Sequence, residues 1–191
     1  IKKLKQALHK VKNALITSPQ AAEASFVHGL ISESLEMKRD ASVAYRRAII
    51  LNNNHAQAYS KLAGIFETEG RYLDALGAYQ CALSLSDFQP SFQCSIGVLS
   101  TKLQDFTSAH NNFKMAICQS PRASSFYDNY AFSNIPFSSE NAATQLFKYS
   151  QIVNPFSSIF FYNYGNYHAA YSSILSQKSF IPIKFFNIIL L

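Results

Sequence analysis

Small residues recur every 34 positions along most of the chain, and this spacing restricts the possible folds more than any other feature of the sequence. A column of alanines is followed four positions later by a column of large residues, and three positions after that by a second column of small ones. The three columns are Ala7, Ala41, Ala75, Ala109 and Ala143; Val11, Tyr45, Tyr79, Phe113 and Phe147; and Ala14, Ala48, Ala82, Ala116 and Ser150. Because residues three and four apart share one face of an α-helix, each small–large–small set predicts a helix with one packing stripe.

A second group of columns with the same spacing predicts a second helix in each unit. Its members are Gly29, Ala63, Gly97, Ala131 and Gly165; His28, Leu62, Ile96, Tyr130 and Tyr164; and, more loosely, Ser25, Tyr59, Gln93, Tyr127 and Phe161. Small residues let two helix axes approach closely, and the bulky residues fill the space between helical pairs. Turn signals separate the two predicted helices at 37–40, 70–71 and 104–105. One helical hairpin cannot bury such a stripe alone, so the pattern predicts an all-α stack of hairpins.

The unit from Ala56 to Pro90 carries the pattern most completely, with Tyr59, Leu62, Ala63, Phe66, Gly70, Tyr72, Ala75, Tyr79 and Ala82. This unit resembles the tetratricopeptide repeat, and the resemblance extends over about residues 1–170. It implies a right-handed α-α superhelix in which the first helix of each unit lines a concave groove and the second faces outward. The pentatricopeptide family, which reads RNA bases, typically has a slightly longer period, so the constant spacing of 34 argues against it.

The period divides the chain into successive segments, with incomplete units at both ends of the pattern. We expect a second helix of an incomplete leading repeat, three repeats, a degenerate repeat, an incomplete terminal repeat or capping helix, and an irregular apolar tail. These segments are 1–21, 22–55, 56–89, 90–123, 124–157, 158–178 and 179–191. Pro136 is expected to shorten the first helix of the degenerate repeat near Asn134, because proline clashes with the preceding helical turn. The pattern therefore predicts part of a larger chain or complex.

Charge and cysteine usage narrow the functional class only slightly. The formal net charge of +6 mildly favours acidic partners, but the lysines at the N-terminus (Lys2, Lys3, Lys5, Lys10 and Lys12) are interpreted as a solvated helix face, so no clear nucleic-acid site is predicted. Cys81, Cys94 and Cys118 form no CxxC pattern and are interpreted as small hydrophobic residues in a reducing compartment. The apolar stretch 180–191 is too short to cross a bilayer. We therefore predict no membrane span and a cytoplasmic, or alternatively nuclear, location.

No arrangement of residues typical of catalysis is found in the sequence. The five histidines, His9, His28, His55, His110 and His168, lack metal-ligand spacing such as HExxH, and no GxSxG motif or glycine-rich phosphate loop is present. His28 falls in a core column and is interpreted as a packed histidine. We expect no enzymatic activity, no cofactor and no metal site.

The resemblance implies that a peptide or protein ligand binds in the groove, at residues Tyr59, Lys61, Ser95, Asp128, Asn129, Asn163 and Asn166. Asn129 and Asn163, one repeat apart, would begin a ladder of amides that grips an extended peptide backbone, similar to the repeat domain of O-GlcNAc transferase. The alternative is that these are simply solvated polar residues. The clamp that holds chaperone C-terminal carboxylates in other family members is missing, since its places hold residues such as Phe26, Leu30 and Lys61.

Two functions agree with this pattern. The first is a protein–protein interaction scaffold that binds a segment of its partner in the groove. The second is a substrate-recognition arm of a larger enzyme, such as a glycosyltransferase similar to O-GlcNAc transferase. The fold alone does not choose between them.

Overall fold

The computed structural model describes residues 2–86, 88–133, 140–156, 164–166 and 169, with the backbone alone described at 140–142. Within these ranges the regular structure is helical and contains no β-strand. The helices are α1 (Lys2–Thr17), α2 (Ala22–Ser34), α3 (Lys38–Leu51), α4 (Ala56–Thr68), α5 (Tyr72–Ser84), α6 (Pro90–Lys102), α7 (Phe106–Gln119), α8 (Ser124–Ser133) and α9 (Glu140–Val153). The predicted all-α class is therefore confirmed. Pro136 lies outside the described residues.

The helices begin at residues whose side chains or backbone suit a helical first turn. The amide of Ala58 donates a hydrogen bond of 3.3 Å to Nδ1 of His55, the residue that caps α4. Asp105 caps α7 in the same way, and its carboxylate accepts a bond of 3.1 Å from the amide of Ser108. The side-chain and backbone hydrogen bonds from Ser108 lower the pKa of Asp105.

A left-handed backbone position recurs in the turns that follow α2, α4 and α6. The φ angle is 61° at Glu36, 75° at Gly70 and 63° at Gln104, three positions that are 34 residues apart. In the turn after α4, the amide of Arg71 donates to the carbonyl of Phe66 at 2.9 Å, which closes the helix end. Only glycine adopts a positive φ without steric cost. The repeat therefore imposes the same turn even where the residue is glutamate or glutamine.

The chain divides into two compact units, residues 1–104 and residues 105–191. In the first unit, α2 packs against α3 and α4 against α5, so each pair forms a helical hairpin. Successive hairpins are joined where α1 packs against α2, α3 against α4, and α5 against α6. One buried cluster contains Phe26, Tyr45, Leu62, Phe66 and Leu99, which come from four different helices. Because this core is shared between hairpins, the predicted stacking is confirmed within the first unit.

Two helices of this core approach closely where the ring of Tyr45 on α3 lies against Gly29 on α2. A Cβ atom at position 29 would lie 2.5 Å from Cδ1 and 2.9 Å from Cζ of this ring, closer than real carbon contacts allow. Tyr45 is fully buried, and its ring centroid is 5.7 Å from that of Phe26. The predicted role of the small column, to let helices approach, is therefore confirmed at Gly29.

The second unit contains the same kind of core. Helix α7 packs against α8, and α8 packs against α9. Phe113 stacks on Tyr130 with 5.6 Å between ring centroids, and the Tyr130 hydroxyl forms a hydrogen bond with Nδ1 of His110. Phe147 meets Tyr164 edge to face at 5.3 Å. The large residues of the repeat are thus buried between helices, as predicted.

Candidate functional site

The groove residues predicted for the first unit lie on α4 and α6, which the 34-residue register assigns as first helices of their repeats. Tyr59 and Lys61 are half-buried on α4, and Ser95 is half-buried on α6. Together with the matching surface of α2, these helices present what we call the first-helix face, defined by Glu33, Tyr59, Lys61, Glu67, Ser95 and Lys102. Three of these residues, Glu33, Glu67 and Lys102, were not predicted from the sequence.

Lys61 forms an ion pair that connects α4 to α2. Its Nζ atom lies 3.2 Å from Oε2 of Glu33, and both side chains are about two-fifths exposed, at 42% and 41%. The same Oε2 atom accepts a hydrogen bond of 2.6 Å from the hydroxyl of Tyr45. Burial of the phenol is the main cause that raises the pKa of Tyr45 above its ordinary range, and the hydrogen bond to the Glu33 carboxylate raises this pKa further. The positive charge of Lys61 is therefore balanced within the protein before any partner arrives.

A second ion pair connects α6 to α4 one repeat further on. Nζ of Lys102 lies 2.8 Å from Oε1 of Glu67, and it also lies 5.0 Å from the centroid of the Tyr72 ring. Glu33 and Glu67 are 34 residues apart, so the two carboxylates occupy the same place in successive units. The 34-residue spacing of these two glutamates could have been recognised in the sequence. The lysines do not share a register, because Lys61 corresponds to Ser95.

Ser95 contacts the neighbouring second helix. Its hydroxyl lies near the phenol of Tyr79 on α5. The pKa of Tyr79 is raised mainly by burial and also by the nearby charge of Glu67, while the hydroxyl of Ser95 acts in the opposite direction. Ser95 therefore joins the first-helix face to the buried aromatic of the repeat.

In the second unit, Asp128 does not present its carboxylate to solvent as the groove prediction expected. It is fully buried on α8, and neither carboxylate oxygen has a fully formed hydrogen bond among the described residues. Burial raises its pKa, and the nearby hydroxyl of Ser150 on α9 acts weakly in the opposite direction. A position that packs between α8 and α9 cannot also meet a partner, so Asp128 is left out of the proposed surface.

The predicted asparagine ladder can be placed only in part. Asn129 is half-buried on α8, and Asn166 is exposed in the short helical stretch 164–166. Asn163 lies outside the described residues. The pairing of Asn129 with Asn163 therefore stays a prediction.

Among the residues that the structure describes, no group of three or more histidine, cysteine, aspartate or glutamate side chains is placed to hold a metal ion. Among the same residues, no helix has the length and apolar character needed to span a bilayer. The interpretation of the cysteines as small hydrophobic residues agrees with the burial of Cys94, whereas Cys81 and Cys118 are exposed.

Comparison with known proteins identifies the fold. No protein-family model matches the sequence, and no curated protein matches it. Among solved structures, MamA is similar at 17% identity with a TM-score of 0.74, over 80% of this chain and 89% of that one. YrrB, described as a TPR protein with an unusual peptide-binding site, is similar at 17% identity and a TM-score of 0.69, over 83% and 82%.

A tetratricopeptide repeat protein from Parabacteroides merdae is similar at 15% identity with a TM-score of 0.72, over 88% of this chain and 66% of that one. Identities this low carry information about the fold alone. The 34-residue spacing, the hairpin packing within each unit and these structural similarities agree. The chain has the fold of tetratricopeptide repeat proteins.

Proposed function

We propose that the chain is a protein-interaction scaffold that binds a peptide or protein segment on its first-helix face. The observation that carries this proposal is the pair of exposed ion pairs on that face, Glu33 with Lys61 and Glu67 with Lys102. Exposed ion pairs contribute only about 0–1 kcal/mol to stability. A bound segment can therefore exchange its own charged or amide groups for these partners at little cost to the fold.

The chemistry of the face fits an extended segment better than a small molecule. Tyr59 supplies a half-buried aromatic surface on α4, and in each ion pair a glutamate of one first helix meets a lysine of the next. We expect affinities of about 1 μM, equivalent to roughly −8 kcal/mol. Asn129, Asn163 and Asn166 stay part of the proposed surface in the second unit.

The peptide-binding site reported for YrrB supports the proposal by analogy of fold. We also propose that the chain acts without catalysis and without a cofactor, since lysine, glutamate, serine and tyrosine on the first-helix face form no nucleophile–base pair. No specific observation favours the substrate-recognition arm of a larger enzyme.

A paired substitution tests the face directly. The full chain, immobilised and exposed to cell extract, is compared with a Tyr59→Ala/Lys61→Ala variant by quantitative mass spectrometry of the recovered proteins. Lys38→Ala, an exposed change of equal charge on α3, is the matched control. We expect a specific partner whose recovery falls at least about fivefold for the double variant and stays constant for the control. Equal recovery with all three proteins would exclude the first-helix face as the binding surface.

A further inference from the structure

A cavity of about 350 Å³ lies between α1, α2 and α3, and none of its residues belongs to the first-helix face. Its volume is near the lower end of the range of about 300–1,000 Å³ typical of ligand pockets. All three helices contribute to its walls, through Lys12, Leu15, Ile16, Ser25, His28, Val43, Ala44 and Arg47. We call this cavity the interhelical cleft.

The repeat register explains why there is space at this place. Ser25 occupies the column position that holds Tyr59, Gln93 and Tyr127 in later units, and these side chains are all larger. His28 occupies the position of Leu62, Ile96 and Tyr130, so a polar ring replaces two aliphatic side chains and a tyrosine. The first complete unit therefore has a smaller side chain at position 25 and a more polar one at position 28 than the later units.

Two polar atoms in the wall of the cleft have no hydrogen-bond partner among the described residues. They are Oγ of Ser25, a residue that is only 1% exposed, and Nε2 of His28. The two residues are three apart on α2 and so share one face of the helix. Buried polar atoms are nearly always hydrogen-bonded, because leaving one unpaired costs free energy. Both atoms therefore lack the hydrogen bond that their burial calls for.

The charges around the cleft are mostly positive. Lys12 and Arg47 line it, and neither forms an ion pair within the described part of the chain, although Arg47 donates one hydrogen bond of 2.9 Å to the carbonyl of Pro19. Burial lowers the pKa of His28, and the charges of Lys12 and Arg47 lower it further, while Asp40 acts in the opposite direction. The positive charges and the two unpaired atoms together favour an anionic group.

Apolar side chains complete the walls and extend onto the surface. Ile16 is 77% exposed and Val43 is 67% exposed. Both lie beside the charged residues of the cleft. A free inorganic anion would leave these side chains in water, whereas an anionic side chain within an apolar segment would cover them.

We propose that the interhelical cleft is a second binding site, which accepts a glutamate or aspartate side chain flanked by apolar residues in an extended segment of a partner protein. Lys12 and Arg47 neutralise the carboxylate. The hydroxyl of Ser25 donates a hydrogen bond to it, as does Nε2 of His28 in the tautomer that carries the proton there. Ile16 and Val43 cover the apolar neighbours. The site acts independently of the first-helix face.

The blocked peptide acetyl-Leu-Glu-Leu-amide tests the proposal, because its side-chain carboxylate is its only charge. Binding to the full chain is followed by NMR shifts of the Ser25 amide and the His28 ring. We expect saturable binding at about 0.1–1 mM and a loss of about 5- to 10-fold for acetyl-Leu-Gln-Leu-amide. Acetate is the control for a free anion, and the Tyr59→Ala/Lys61→Ala variant is expected to bind like the unmodified chain. Equal binding of the two peptides, or acetate binding as tightly as the glutamate peptide, would overturn the proposal.

Matched variants locate the carboxylate. Lys12→Gln is expected to weaken peptide binding about 5- to 10-fold, whereas Lys10→Gln, the same charge change about 200° round α1, should have no effect. An equal loss with Lys10→Gln would reveal only general attraction to a basic helix and would refute the site. Ser25→Ala should weaken binding while the thermal midpoint stays constant or rises, since it removes an unpaired polar atom. Unchanged binding by this variant would contradict the role given to Ser25.

The pKa of His28 distinguishes contact with a carboxylate from a change in packing. A carboxylate placed next to the ring should raise the pKa of His28. This effect has the same direction as that of Asp40 and is opposite to the effects of Lys12 on α1 and Arg47 on α3. The ¹H NMR titration of His28 with and without the glutamate peptide measures this change. An unchanged titration at saturating peptide would exclude contact between the carboxylate and the ring.

Discussion

The contact between Gly29 and Tyr45 makes a single added methyl group destabilising. In a Gly29→Ala variant, the new Cβ would lie 2.5 Å from Cδ1 of Tyr45. Normal contacts between carbon atoms are about 3.5–4.0 Å, so the ring or the helix must move by about 1 Å. The ring cannot turn aside easily, because Tyr45 is fully buried and its hydroxyl is bonded to Glu33. Overpacking of this kind costs about 1–3 kcal/mol.

The gain in helix propensity partly offsets this cost. Replacing glycine by alanine inside a helix stabilises it by about 0.5–1 kcal/mol. The net effect of Gly29→Ala is therefore a loss of about 0–2.5 kcal/mol, which lowers the thermal midpoint of a chain of this size by up to about 10 °C. Gly77→Ala on α5 is the matched control, because among the described residues a Cβ at that exposed position meets no atom within 4 Å beyond its own helix backbone and chain neighbours. That variant should be more stable than the unmodified chain by about 0.5–1 kcal/mol.

Circular dichroism melts of the three proteins measure these differences. A double-mutant cycle with Tyr45→Leu then tests the cause, since Gly29→Ala should cost at least about 1 kcal/mol less when the ring is absent. If Gly29→Ala and Gly77→Ala shifted the midpoint in the same direction, the steric reasoning would be refuted. An additive cycle would show that the cost does not come from the tyrosine.

Three further changes test other parts of the fold. Gln104→Gly should stabilise the chain by about 0.5–1 kcal/mol in urea unfolding, because Gly70 already occupies the equivalent left-handed position; a loss would show that the side chain, not the backbone, controls the turn. Asp128→Asn should raise stability by about 1–2 kcal/mol at pH 7, because a folded-state pKa above the unfolded value gives stability that is present at low pH and lost as pH rises through the raised pKa. A variant whose stability falls with pH as steeply as that of the unmodified chain would disprove this. Glu67→Gln should cost less than about 1 kcal/mol in the same assay, since its ion pair with Lys102 is partly exposed, and a larger loss would mean that this pair is structural.

The sequence predicts the buried columns well because a helical repeat places equivalent residues in equivalent surroundings. Ala41, Ala75 and Ala109 are all buried, as their shared register requires. Asp128 differs, because the register was interpreted as placing it in the groove. Its column also contains Phe26 and Cys94, which are buried, and Ser60, which is half-buried. This position of the repeat therefore lies largely in the packed interior.

Contacts that depend on long side chains could not be predicted in the same way. Lys61 on α4 pairs with Glu33 on α2, and Lys102 on α6 pairs with Glu67 on α4. The two glutamates share a repeat position, but the two lysines do not. Such pairs depend on rotamers and local distances that periodicity does not determine. The interhelical cleft was equally hidden, because it arises where Ser25 departs from the size of its column and not where the column is obeyed.

The fit of Tyr45 over Gly29 also limits which helices of this chain can be exchanged between repeats. The next unit has Ala63 and Tyr79 at the equivalent positions, so its first helix carries the methyl group that Tyr45 excludes. Copying α4 into the place of α2 would therefore create a clash, whereas moving α4 and α5 together would preserve each aromatic with its own neighbour. In shuffled or consensus arrays built from this chain, the transferable module is the hairpin and not the single helix.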